Sequence, residues 1–266
     1  MTKIRNTSPM GTTPRITTSL AEWNRALEDA IQNEDAQRAL PLAEIVLRVL
    51  PRHLATYQRL LRALWSLGRW GEGAEWGRRL LQADPTNALA WRALGRAAEQ
   101  SGNRQEANSI FHRAFECDPY EPEIRGCLRR TSLIGEKSLE LDQACLAMLY
   151  LRGQRWQQAA DTYRSLLQFD IRRVDFQSGL LLALWQGGAE RESYQLAQEL
   201  RQSHPHLLLA WSVINDLGDE DDRALAHQPL QSMDPDCDYQ RHWWGLPIDL
   251  QPVELRVSEE EAQLLK

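Results

Sequence analysis

Apolar and small side chains recur along this chain at intervals of three and four, the spacing that gathers residues on one face of a helix. The pattern is sharpest over residues 88–119, where Trp91, Leu94, Gly95 and Ala98 mark one helix face and Ala107, Phe111 and Ala114 mark a second. Gly102 and Asn103 stand between them, and both accept the positive φ at which a helix ends. Pro119 closes the unit, since it lacks the N–H that a continuing helix requires. The expected element is a helical hairpin with small residues where its two arms approach.

The hairpin repeats with a fixed period. Pro51, Pro85 and Pro119 are 34 residues apart, and so are Trp23, Tyr57 and Trp91; Ala39, Gly73 and Ala107; and Val46, Leu80 and Ala114. Four columns in register over residues 20–51, 54–85 and 88–119 define three units. Trp70 and Gly68 fall in the second of these units. Pro41 of the first falls early in its second helix, where backbone N–H groups have no intrahelical partner.

Repeat length, small residues, aromatic knobs and terminal proline together resemble the tetratricopeptide repeat (TPR) family. The resemblance covers roughly residues 20–217 and implies an all-α fold, a right-handed TPR-like helical solenoid. It also implies a non-catalytic scaffold whose first helices line a concave wall. The register slips after Pro119, so residues 122–131 are read as a lone capping helix. It resumes over 140–171, with Tyr150, Trp156, Tyr163 and Ile171 in place of Pro, and over 174–205, ending at Pro205. Residues 207–217 place Trp211 in the Trp91 column and then stop. The expectation is five helix pairs plus two lone helices, divided into an N-terminal arm (1–19), a first block (20–133), a second block (134–217) and an acidic C-terminal tail (218–266).

The wall residues not used in packing are the candidate site. In the first block they include Gln58, Arg59, Arg62, Trp65, Arg92, Arg96 and Glu99. The four arginines make either a guanidinium patch for carboxylates of an acidic peptide or a solvated helix face neutralised by Glu99 and its neighbours. In the second block the same columns carry Met148, Leu151, Leu182 and Trp185, an apolar wall suited to a partner helix or peptide, or else core packed beneath the next unit. TPR proteins that hold the acidic C-terminus of heat-shock chaperones resemble one another in a clamp of Lys, Asn, Asn, Lys and Arg. Here those positions are Asn24, Glu28, Arg59, Leu89 and Ala93, so that reading is rejected.

Charge adds one asymmetry. The chain of 266 residues has a net charge of −6, but residues 216–266 hold thirteen Asp/Glu against four Lys/Arg, leaving +3 for the rest. No concentrated basic face argues for nucleic acid, and no run approaches the ~20 apolar residues of a membrane span. The first nineteen residues lack the apolar core of a secretory signal. Cys117, Cys127, Cys145 and Cys237 have neither zinc nor redox spacing, so a reduced, cytoplasmic chain is expected. The histidines form no metalloprotease pair. Asp234, Asp236 and Asp238 imitate the start of a calcium loop, but Tyr239 and Gly245 stand where Gly and Glu are needed. No metal, cofactor or catalytic residue is expected.

One stretch falls outside the repeats. Residues 240–257 carry Trp243, Trp244, Leu246 and Ile248 among two prolines and alternating apolar positions. Large apolar side chains are costly to expose, so an extended strap lying on its own solenoid is expected, either capping the end or entering the groove. Its acidic neighbours, residues 219–222 and 259–261, would meet the arginine patch in cis or in a sister chain. Two functions follow: a scaffold for a protein partner, or a structural subunit of an oligomer whose groove is filled by its own or a sister tail.

Overall fold

The computed structural model describes residues 15–132 and 140–266. The arm up to residue 14 and the expected block boundary at 133–134 lie outside the described residues. Strand β1 (Arg15–Ser19) leads into helices α1 (Leu20–Gln32), α2 (Ala36–Val49), α3 (Leu54–Ser66), α4 (Trp70–Ala83), α5 (Ala88–Gln100), α6 (Arg104–Cys117) and α7 (Pro122–Thr131). Then come α8 (Gln143–Arg152), α9 (Trp156–Phe169), α10 (Val174–Gln186), α11 (Glu190–Ser203), α12 (Leu208–Leu217), α13 (Glu220–Met233) and the short α14 (Asp238–Trp243). Strand β2 (Glu254–Ser258) and a final turn of helix, α15 (Glu259–Ala262), end the chain. Successive helices pack as pairs into a TPR-like solenoid.

The 34-residue columns have a direct physical basis. Trp91 Nε1 donates to the Pro85 carbonyl at 2.8 Å, Trp211 Nε1 to Pro205 O at 2.9 Å, and the Tyr57 hydroxyl to Pro51 O. In these three units the first helix ties its first turn back to the carbonyl six residues earlier, at the proline that stops the preceding helix, whereas in α1 Trp23 Nε1 donates to the Thr18 hydroxyl at 2.8 Å. Arg125 does the same to Pro119 O and Gln177 to Ile171 O, each at 2.9 Å, so the bond persists where the Trp/Pro pair is absent. The turn inside five of the pairs adopts positive φ, whereas Gly218 between α12 and α13 has φ −76°. Gly68, Gly102 and Gly188 supply it in three pairs, whereas Glu34 and Gln154 adopt it as non-glycine residues in two others.

Two features differ from the sequence expectation. The helix at residues 208–217 is not alone: α13 packs against it as a sixth second helix, so residues 219–222 are its N-cap and first turn rather than tail. Asp219 caps it by accepting from Asp222 N at 3.0 Å, and three acids in a first turn favour the helix dipole. Residues 15–19, assigned to the arm, form a two-stranded antiparallel ribbon with β2, pairing Arg15 with Ser258 and Ser19 with Glu254.

The ribbon draws the two ends together. The main apolar cluster includes α1–α5 at one end, α10–α13 at the other, and Tyr239, Leu255 and Val257 of the C-terminal segment. Arg52 Nη2 lies 2.8 Å from His206 Nδ1, linking the turn after the first pair to the turn after the fifth. Smaller clusters hold α8–α10 and α6–α7 with Cys145.

Close helix approach sets a test. A Cβ at Gly179 of α10 would lie 2.4 Å from the ring of Tyr163, itself fully buried on α9. Gly179→Ala is expected to lose about 1–3 kcal/mol through this overlap despite alanine's better helix propensity; urea denaturation measures it, and an unchanged midpoint would contradict this packing.

Candidate functional site

The concave face is built by the first helices, and its most constrained point is on α3. Arg59 is buried there at 5% exposure. Its Nη1 lies 2.8 Å from Asp238 Oδ2, close as an ion pair though not aligned as a hydrogen bond, and its Nε donates to Glu28 at 3.3 Å. Arg62 donates to the same Glu28 at 2.8 Å. Burial acts most strongly on Glu28 and acts upward, yet the two guanidinium groups hold its carboxyl below the usual range.

Asp238 opens α14, and the chain from Asp234 onward is shaped to place it. Cys237 adopts φ 60°, and the Asp234 carboxylate accepts the backbone N–H groups of Tyr239 at 2.9 Å and Gln240 at 3.0 Å. Asp236 accepts from Asn24 Nδ2 at 2.9 Å and lies 3.0 Å from His53 Nε2, whose other nitrogen is 2.8 Å from the Thr56 hydroxyl. The fully buried Tyr239 donates its hydroxyl proton to Asp84 at 2.8 Å and accepts from Asn87 at 2.8 Å. Trp244 Nε1 donates to the same Asp84 carboxylate at 3.2 Å. Trp243 stacks on Tyr239 with ring centres 5.1 Å apart, beside the Arg59 guanidinium.

The C-terminal segment therefore enters the groove, where α14 sits on α3 and α5, before β2 reaches β1. It is helical over 238–243 rather than extended throughout. Its acids also take partners other than those expected: Asp238 alone reaches Arg59, whereas Glu261 pairs with Arg48 and Asp222 accepts from Tyr194 and Gln198.

Two hollows flank the strap and share Gln186, Leu246 and Pro247. The larger, about 1030 Å³, is lined by Arg62 and Arg92 on one side, by Met148, Leu151 and Leu182 on the other, and by Trp243 and Trp244. The smaller, about 680 Å³, is lined by Trp185, Leu230, Leu246 and Ile248 with Asp216 and Asp234.

The candidate residues thus divide. Met148, Leu182, Arg62 and Arg92 border the larger hollow, and Trp185 borders the smaller. Arg59 is sealed behind Asp238 and cannot meet a partner, which corrects the idea of an open four-arginine patch. Arg92 stacks over Trp65 at 4.0 Å and pairs with Glu123, while Arg96 lies over Trp70 and pairs with Glu99 at 2.5 Å. Trp65 packs edge-on to Trp70 at 4.7 Å. Neither Trp65 nor Arg96 lines the larger hollow. Burial, against the pull of Glu123 and Glu121, lowers Arg92 below an ordinary guanidinium.

No local sequence pattern marks Tyr239, Asp84 and His53 as partners in this site. The aspartates at 234, 236 and 238 were visible but weighed as calcium ligands. Ligand atoms of His53, Asp234 and Asp236 do lie within 4.8 Å of one another. The donors described above already engage them, so the geometry is accounted for by the strap's own hydrogen bonds. The thiols are poorly suited to nucleophilic work: burial pushes Cys145 up to about 12 and Cys237 to about 11.

Residues 25–88 match the tetratricopeptide repeat family model, and the helix pairs continue that pattern beyond the match. That stretch carries tetratricopeptide repeats. No curated protein matches it. Among solved structures, Naa15/Naa10 bound to HypK-THB aligns at 16% identity over 84% of this chain and 32% of its own, with a TM-score of 0.32. The TPR domain of P58(IPK) aligns at 13% identity over 92% and 65%, with a TM-score of 0.37. PilF of Pseudomonas aeruginosa aligns at 16% over 85% and 97%, with a TM-score of 0.33. This chain spans less than two thirds of the first two, and likenesses of this size bear on neither partner nor activity. Among the described residues, no helix is long and apolar enough to cross a membrane.

The strap's cap has a measurable pH signature. Burial pushes Asp234 up to about 6, with Asp236 adding in the same direction against the backbone hydrogen bonds. A carboxyl raised above its ordinary ~3.9 contributes stability that is fully present below about pH 4 and lost as pH rises through about 6. Relative to Asp234→Asn, the unmodified protein is expected to lose on the order of 2–3 kcal/mol between pH 4 and pH 7 in urea denaturation. A pH-independent difference would place Asp234 in a solvated site instead.

Proposed function

We propose that this protein is a non-catalytic interaction scaffold that holds an apolar segment of a protein partner in the larger hollow of its concave face. The observation that carries this reading is the hollow itself: about 1030 Å³, open to a peptide, with Met148, Leu151, Leu182 and Leu209 on one wall and Trp243 and Trp244 on the strap. Sites of this kind combine apolar walls with a few polar groups that fix orientation. Here Arg62, Arg92 and Gln58 are polar groups opposite the apolar wall, with Asp118, Glu121 and Arg152 also in the lining. An acidic peptide is less favoured than an apolar one, because Glu28, Glu99, Glu123 and Asp238 already engage the arginines.

A structural-subunit role is the second reading, favoured by the strap's seat on α3 and α5, which fills part of the groove with the chain itself. Sedimentation equilibrium separates the two: a stable homo-oligomer at micromolar concentration supports the subunit, a monomer the scaffold.

Met148→Asp combined with Leu182→Asp puts two carboxylates on the apolar wall and is expected to weaken partner capture at least about tenfold. Phe169→Ser, at an exposed residue of the inter-repeat edge, serves as the control. Quantitative affinity capture from the native host, compared across the three proteins, measures the effect. Equal capture by all three would refute the larger hollow as the site.

A further inference from the structure

The smaller hollow has a chemistry of its own. Its formally charged lining residues are Asp216 and Asp234, and no lysine or arginine is among the described residues that line it. The larger hollow, by contrast, is lined by Arg62, Arg92 and Arg152 as well as acids. Arg223, near the rim, is engaged by the Asn215 carbonyl at 3.3 Å. The hollow lies in the acidic part of the chain, where residues 216–266 carry a net −9.

Three features suit this hollow to a long cationic side chain. Asp216 is exposed at the rim and accepts from Trp185 Nε1 at 2.7 Å, which fixes the indole of the wall beside a carboxylate. Leu230, Leu246, Pro247 and Ile248 offer apolar surface to an aliphatic stem. Deeper in, Asp234 is buried and its hydrogen-bond donors, Tyr239 N, Gln240 N and Gln240 Nε2, are all neutral. An aromatic wall next to a carboxylate is the arrangement a guanidinium meets best, because it is planar, weakly hydrated and able to stack while donating two hydrogen bonds.

We propose that the smaller hollow is the docking site for an arginine side chain of a protein partner, with Asp216 and Trp185 as its receiving groups. The site is distinct from the apolar wall of the larger hollow, from which Leu246 and Pro247 of the strap divide it. The strap thereby gives one concave face two recognition chemistries, an apolar wall facing charges of both signs on one side and an anionic–aromatic hollow on the other. The proposal rests on the scaffold reading for the source of the arginine, and the two fail separately. The scaffold reading is tested by capture with Met148 and Leu182 variants, the arginine site by a defined peptide read at Trp185.

The experiment titrates the full chain with a five-residue peptide, acetyl-Gly-Leu-Arg-Leu-Gly-amide, and with the same peptide carrying citrulline, which has the arginine shape without its charge. Binding is followed by the indole N–H resonance of Trp185, assigned by its loss in Trp185→Phe. The arginine peptide is expected to shift this resonance saturably, at least about tenfold more tightly than the citrulline peptide, and Asp216→Asn to weaken it by about tenfold, as the loss of a charge-assisted contact does. Unchanged resonances of the other indoles report that Asp216→Asn is folded. No saturable shift, equal response to both peptides, or a shift indifferent to Asp216→Asn would overturn the proposal.

Discussion

Arg59 carries its charge at a position almost closed to solvent, and the C-terminal segment supplies the carboxylate that makes this tolerable. Removing one member of such a buried pair costs about 3–5 kcal/mol, since the other charge is left without water or partner. Around this contact everything else in the groove is arranged. Glu28 completes the charge balance, Asp236 and Asp234 fix the turn that delivers Asp238, and Tyr239 carries the segment across to Asp84 and Asn87 of the neighbouring unit. These polar contacts specify one seat for the strap, while Tyr239, Leu255 and Val257 provide the apolar burial that holds it there.

This constraint changes what the solenoid can do. A repeat array stabilised by neighbour contacts alone is open at both ends. Here the β1–β2 ribbon and the strap join the first pairs to the last, so the concave face is partitioned in advance rather than shaped by a ligand. The hollows that remain differ because the strap shows different groups to each: Trp243 and Trp244 to the larger, Ile248 and the cap of α14 to the smaller. Under the scaffold reading proposed above, a pre-formed, divided groove would lower the ordering cost of binding and favour short segments over long helices.

The repeats were legible in sequence because the columns serve contacts that recur from unit to unit. Trp91, Trp211 and Tyr57 are fixed by the carbonyl six residues back, and Gly68, Gly102 and Gly188 by the positive φ of the turn. What escaped notice lacks such repetition. Helix α13 shows an acidic first turn, an internal Pro229 and, on its inner face, only Ala226 and Met233 fully buried, too weak a stripe to announce a helix. Arg59 looks like its neighbours Arg62 and Arg92 along the chain, and its burial depends on Asp238, 179 residues away. The strap's apolar content was visible in Trp243 and Trp244; its path was not, because that depends on pairings with Asn24, His53 and Asp84 that no local pattern encodes.

The central claim is that this strap is held by its own chain. Thr17 and Arg256 are directly paired in the ribbon, and both are exposed. Cysteines at such a cross-strand pair lie within the span a disulfide can bridge. Thr17→Cys with Arg256→Cys, under mild oxidation and non-reducing electrophoresis, should form an intramolecular disulfide that runs as a faster-migrating monomer, absent from either single variant. A covalent dimer, or no disulfide at all, would contradict the account.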